Sequence, residues 1–224
     1  MNETALEQVL VPRAGDPPVI GSTAPGFEAH TTASGCSLGN YCGRWLVFFS
    51  RPADFTTVST SEFIVSAERH IEFRELDREL LALSVDSVPA HMAWAHATRH
   101  CFGAAIPFPI VEDPSLAIAA AYGMIQPEAS DAATMRVTFI IDPDSIVRAV
   151  VWRPMTTGRS VDELLRLVKA LQTSDTERAW TPEGWRPGDD LIEPAPLTVD
   201  NHSLPAEYDK SPDWYYRIRR ETIQ

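Results

Sequence analysis

The stretch Arg51-Pro52-Ala53-Asp54-Phe55-Thr56-Thr57-Val58-Ser59-Thr60-Ser61-Glu62 lies where one kind of backbone gives way to another. Before it, Trp45-Leu46-Val47-Phe48-Phe49-Ser50 is a continuous apolar run rich in β-formers, as expected of a central strand buried on both faces. Pro52 and Asp54 break that strand, and a helix is predicted to begin close to Thr57. Phe63, Ala67, His70, Ile71 and Arg74 carry the mixed apolar and polar spacing of an amphipathic helix. Leu80-Leu81-Ala82-Leu83-Ser84-Val85 reads as a second buried strand, and Asp86 and Ser87 can cap the next helix, which contains His91 and Trp94.

The same alternation continues outward. Phe27 to Thr32 is predicted as a short strand, with Gly35 in a turn. Ile118 to Tyr122 is a short helix ended by Gly123. Val137-Thr138-Phe139-Ile140-Ile141-Asp142-Pro143 is a third core strand ending in a turn, and Ile146 to Arg153 pairs with it as a hairpin. Ser160-Val161-Asp162-Glu163 has the form of a capping box, Glu163 reaching back to Ser160, and opens a helix through Leu164, Leu165, Leu167, Val168 and Leu171. Strands alternating with helices and finished by a hairpin and a helix make an α/β sandwich. Residues 1–17 are expected to form a loose polar arm, 18–174 the α/β domain, and 175–224 a Pro- and Trp-rich extension with little room for a core of its own.

Bulk composition narrows the function classes. At 224 residues, 44% hydrophobic and 22% charged, the chain reads as an ordinary soluble globular protein. A net charge of −12 argues against nucleic acid or an anionic membrane as partner. No apolar run is long enough to span a bilayer, and the opening MNETALEQVLVPRAGDPP has early acids and no apolar core of a secretory signal. A cytoplasmic location is the expectation. The three cysteines, Cys36, Cys42 and Cys101, form no Cys-x-x-Cys pair and suit a reducing compartment.

Several motifs carry a resemblance. Pro52 and Thr56 stand in register with the peroxidatic Pro-x-x-x-Thr-x-x-Cys motif, so the segment resembles that of the peroxiredoxins, with Ser59 where the family keeps its nucleophilic thiol. Gly21-Ser22-Thr23-Ala24-Pro25-Gly26-Phe27 resembles the family's opening motif, His91-Met92-Ala93-Trp94 its His-x-x-Trp, and Pro107-Phe108-Pro109-Ile110-Val111-Glu112-Asp113 its Pro-Phe-Pro-Ile-x-x-Asp. Thr181-Pro182-Glu183-Gly184-Trp185-Arg186-Pro187-Gly188-Asp189 is similar to a signature of the 1-Cys peroxiredoxins; Ile192-Glu193-Pro194-Ala195-Pro196 continues it, and Trp214-Tyr215-Tyr216-Arg217 resembles their terminal strand. The resemblance implies a thioredoxin-like fold with a C-terminal dimerisation extension that wraps onto a second subunit. It also implies a homodimer or higher homo-oligomer and no cofactor.

The resemblance further implies a pocket built from Thr56 and Arg136, with Pro52, Val58, Arg51 and Arg159 around it and Ser59 at the reacting position. A thiolate is a strong nucleophile that passes through a sulfenic acid; a serine hydroxyl ionises far less readily and has no equivalent of that step. Two departures accompany Ser59: Arg51 stands where the 1-Cys group usually has His, and Thr57 where it usually has Pro. The expected function is therefore a diverged homologue that binds or transforms a small oxygenated or anionic metabolite, its ligand facing an uncompensated Arg136, with Arg51 adding a second cation if it points inward. The competing arrangements are Arg51 turned outward to surface acids, and Glu62 or Asp54 neutralising the cation internally. The alternative function is an active 1-Cys hydroperoxide reductase whose cysteine was replaced by design. His96 and His100 share a helix face, but two imidazoles without a further ligand are weak grounds for a metal, and none is expected.

Overall fold

The computed structural model describes residues 17–125, 134–194, 212–213 and 215–219. The expected arm, Ala195-Pro196 and Trp214 therefore lie outside the described residues, apart from Pro17 at the arm's end. The chain forms two compact units, Met1–Arg159 and Ser160–Gln224.

The first unit is built on a five-stranded sheet. Its strands are β3 (Trp45–Ser50), β4 (Arg78–Ser84), β5 (Ile110–Glu112), β6 (Arg136–Ile141) and β7 (Val147–Arg153), in the order β5-β4-β3-β6-β7. β3 runs parallel to β4 and β4 to β5, while β6 is antiparallel to both β3 and β7. A short hairpin, β1 (Glu28–His30) with β2 (Gly35–Ser37), precedes the sheet. Gly35 thus begins a strand, and the turn before it is closed by Thr31, whose Oγ1 donates to the Ser34 carbonyl at 2.7 Å.

The apolar run of β3 follows from its two covered faces. Phe48 meets Tyr122 at 5.0 Å and Phe27 at 5.3 Å between ring centroids on one face. Phe49 meets Phe63 at 5.6 Å and Phe108 at 5.9 Å on the other. Phe63 continues to Trp94 at 4.8 Å, tying α1 (Thr57–Glu68) to α3 (Val88–Phe102). Phe48 and Phe63 are fully buried, and each such side chain contributes about 1.5–3 kcal/mol relative to exposure.

Two further local expectations are corrected. The helix after Thr57 does not run through to Arg74: it breaks at Arg69 and resumes as α2 (His70–Glu75). Neither Asp86 nor Ser87 caps α3 with its side chain; Ser87 holds the cap position only, and the first free N–H, that of Val88, donates to Glu112 Oε2 at 2.8 Å. Asp86 instead receives the Asp54 N–H at 2.7 Å. A short helix α4 (Ala117–Ala121) precedes Gly123, which takes a left-handed backbone (φ 64°) in close approach to Pro17.

In the second unit, α5 (Val161–Glu177) opens on Ser160, whose Oγ accepts from the Glu163 N–H at 3.2 Å. The Glu163 carboxylate grips Arg166. Strands β8 (Leu191–Glu193) and β9 (Arg217–Arg219) pair antiparallel. Trp185 is buried with Ala170, Ala179 and Leu191, so this unit has a small apolar core of its own that includes α5. Among the described residues no helix is long and apolar enough to cross a membrane.

Candidate functional site

The break predicted at Pro52 delivers Ser59 into the first turn of α1. Thr56 takes the extended N-cap conformation without capping a backbone N–H through its side chain. That side chain is used elsewhere: Thr56 Oγ1 lies 2.6 Å from Ser59 Oγ and 2.9 Å from the Ala53 carbonyl oxygen. A carbonyl only accepts, so when Thr56 gives its one hydroxyl hydrogen to Ala53, Ser59 is the donor in the bond between the two hydroxyls. Arg136 Nη1, from the start of β6, donates to Ser59 Oγ at 3.2 Å. The three residues that the motif register put together, Thr56, Ser59 and Arg136, do meet.

Glu62, one helical turn after Ser59, is the residue that organises them. Its Oε2 accepts from Arg136 Nη1 at 2.9 Å and from Arg159 Nη2 at 2.6 Å. Its Oε1 accepts the Arg159 backbone N–H at 2.7 Å and Nε at 3.1 Å. Arg159 also donates to the Ser50 carbonyl at the end of β3, at 2.9 Å, and lies over the Phe49 ring. Arg136 is held further by the Met155 carbonyl, which accepts from its Nε at 3.0 Å. Burial lowers the Arg136 pKa, Glu62 opposes that shift, and Arg159 adds to it. The expectation of an uncompensated Arg136 is thus corrected, since the internal carboxylate answers it. The compensation is partial, with two guanidiniums facing one carboxylate and one positive charge in excess.

Arg51 is corrected as well. It neither turns outward nor joins Arg136; it is fully buried, 4.2 Å over the Trp94 ring and 5.0 Å from the Phe63 centroid, and ion-paired with Asp54. Burial lowers its pKa and Asp54 opposes the shift. Its Nη2 also lies 3.2 Å from His91 Nδ1. Pro52 is buried and Val58 half-buried beside Gly158 of the loop that follows β7, while Ser59 and Arg136 have almost no exposed surface. Thr56 and Val58, beside Ser59 in sequence, are partly exposed.

No cysteine substitutes for Ser59 among the described residues. Cys36 sits half-buried by Tyr41, Cys42 is exposed near Ser145, and Cys101 is exposed at the end of α3. His96 and His100 are exposed. Asp54, Asp86 and His91 bring donor atoms within 4.8 Å of one another, and the Arg51 guanidinium is ion-paired with Asp54 among them.

The pattern of the AhpC/TSA family matches residues 20–150, and that of the C-terminal domain of 1-Cys peroxiredoxin matches residues 170–202. The chain belongs to the peroxiredoxin family. It is 42% identical over 202 residues to a peroxiredoxin of Thermoplasma volcanium, covering 90% of this chain and 98% of that one. It is 40% identical over 223 residues to a peroxiredoxin of Aquifex aeolicus, covering 94% and 97%. A yeast mitochondrial 1-Cys peroxiredoxin superposes with a TM-score of 0.80 at 31% identity, over 91% of this chain and 99% of that one. A cysteine-to-serine mutant of peroxiredoxin 6 from Arenicola marina gives 0.80 at 28% identity, over 92% and 99%. The fold is the mixed α/β thioredoxin-like fold of peroxiredoxins, and the chain is 1-Cys-like.

Proposed function

We propose that this peroxiredoxin homologue does not reduce hydroperoxides, and that it binds or transforms a small oxygenated or anionic molecule beside Ser59. The observation that carries the reading is the charge at the site. Arg136 and Arg159 share Glu62, so a thiolate at position 59 would bring the cluster to neutrality and a serine leaves it one charge positive. A buried excess charge is costly, and a monoanion or a strongly polar oxygen relieves it. Ser59 itself is a poor nucleophile here. Its oxygen is bonded to Thr56 and Arg136, and among the described residues no imidazole or carboxylate hydrogen-bonds it to act as base.

Peroxide consumption with dithiothreitol tests the reading. The unmodified chain is expected to show negligible turnover, and Ser59→Cys to gain it, because Thr56 and Arg136 already aim at that side chain. Family-like turnover by the unmodified chain, abolished by replacing Cys36, Cys42 or Cys101, overturns it.

One observation favours a second reading, that of an active 1-Cys peroxidase whose cysteine was replaced: the Thr56–Ser59–Arg136 geometry is complete around residue 59. The codon for residue 59 in the source gene separates the two. A homodimeric or higher assembly and a cytoplasmic location complete the proposal, supported by the exposed aromatics of the second unit and by the unpaired cysteines.

A further inference from the structure

Among the described residues His91 is the one fully buried histidine, and the reading of Ser59 makes no use of it. Its Nε2 lies 3.2 Å from the Val111 carbonyl oxygen. A carbonyl only accepts, so Nε2 carries a hydrogen. Its Nδ1 lies 2.8 Å from Asp54 Oδ2 and 3.2 Å from Arg51 Nη2. An ionised carboxylate also only accepts. A neutral ring with its single hydrogen on Nε2 would turn a lone pair toward both groups: Arg51 Nη2, which only donates, can fill it, but the shorter contact to the carboxylate would hold no hydrogen. One more proton, on Nδ1 or on Asp54, makes it a hydrogen bond.

The charged groups around the ring ask for the same proton. Arg51 and Asp54 face it from the loop before α1, and Asp86 from the turn between β4 and α3, where Asp86 Oδ2 accepts the Asp54 N–H and the Ser84 hydroxyl, each at 2.7 Å. On β5, Val111 offers only its carbonyl, and the Glu112 carboxylate is taken by the Val88 N–H. One guanidinium faces two carboxylates, Asp54 buried and Asp86 half-buried, with Arg159 the next cation felt at Arg51; the added proton balances the charge of Arg51, Asp54 and Asp86.

We propose that Asp54 and His91 share a buried proton, and that this proton completes a charge-neutral latch of Arg51, Asp54, His91 and Asp86 holding the loop that presents Ser59. The loop needs holding. Phe55, between Asp54 and Thr56, takes a left-handed backbone at φ 55°, which a non-glycine residue adopts only at a cost in strain. The latch anchors the residue just before it, and Thr56, which bonds Ser59, comes just after.

Nitrogen-15 NMR of the histidine rings in the full, unmodified chain at neutral pH tests the proton. The expected result is a His91 ring with hydrogens on both nitrogens, or an Nε2–H ring bonded to an Asp54 carboxyl that carbon-13 shifts show to be protonated. A bare Nδ1 beside an ionised Asp54 overturns the proposal. Hydrogen exchange tests the latch: His91→Gln is expected to speed exchange of the Asp54 amide about tenfold or more, the loss of a charged hydrogen bond. Unchanged exchange there retires the latch, and should His91→Gln fail to fold, the ring spectrum of the unmodified chain still decides.

Discussion

Glu62 Oε2 stands 2.9 Å from Arg136 Nη1 and, through the same oxygen, 2.6 Å from Arg159. The pairing bridges helix α1 to strand β6 and to the segment after β7, so the helix that carries Ser59 is tied to both arginines by one side chain. It neutralises one guanidinium and leaves one positive charge in excess beside Ser59.

Removing that carboxylate exposes the arrangement. In Glu62→Gln two buried guanidiniums lose their shared counter-charge, and breaking a buried pair in this way costs about 3–5 kcal/mol. Urea unfolding should show a stability loss of that order, partly recovered on adding sulfate or a carboxylate. A loss under about 1 kcal/mol, the scale of an exposed ion pair, contradicts the buried-cluster account.

The excess charge makes a binding prediction. Small carboxylates titrated by calorimetry should bind the unmodified chain and bind Arg136→Ala more weakly by about ten- to a hundredfold, the worth of one charged hydrogen bond. In the variant Glu62 keeps Arg159, and the local charge is balanced. Negligible binding by both proteins leaves a purely structural ion cluster.

Thiol reactivity should separate the cysteines. Burial raises the Cys36 pKa, with the Tyr41 hydroxyl opposing in part, so at a given pH its thiolate fraction is smaller than for an ordinary cysteine. Iodoacetamide labelling followed by mass spectrometry should find Cys36 slowest, behind the exposed Cys42 and Cys101. The Cys36 rate should still be rising with pH above the ordinary thiol range. Equal rates at all three positions would show that Cys36 is not shielded.

Much of this was legible because chemistry and periodicity were local. The run Trp45–Ser50 has no polar alternation because both its faces are covered, and Pro52, Thr56 and Ser59 sit in one short segment. What escaped the sequence is long-range. Glu62 meets its arginines across 74 and 97 residues of chain; its place beside the motif made it, like Asp54, a candidate to neutralise the cation, but nothing local chose between the two or tied one carboxylate to both arginines. Arg51 was open to either orientation because arginine is seldom fully buried; only the rings of Trp94 and Phe63 and the Asp54 carboxylate, two of them distant in sequence, make its burial tolerable. The helix break at Arg69 also had no glycine or proline to announce it.

The aromatic residues of the C-terminal segment bear on assembly, and the structure divides them. Trp185, part of the extension expected to wrap onto a second subunit, is 1% exposed in its own unit's core, with its indole N–H donating to the Asp189 carbonyl at 3.2 Å. Trp180, Tyr215 and Tyr216 remain 57%, 58% and 40% exposed in the single chain. Large aromatics left in water are characteristic of interface anchors, and each contributes about 1.5–3 kcal/mol when buried. The chain is therefore expected to form at least a homodimer through these residues. Light scattering over a dilution series should give a dimer mass for the unmodified chain. Trp180→Ser with Tyr215→Ser should shift it toward monomer while circular dichroism stays unchanged, since neither side chain is part of a core. A folded monomer for the unmodified chain removes the homodimer, and an undiminished dimer in the double variant moves the interface to another surface.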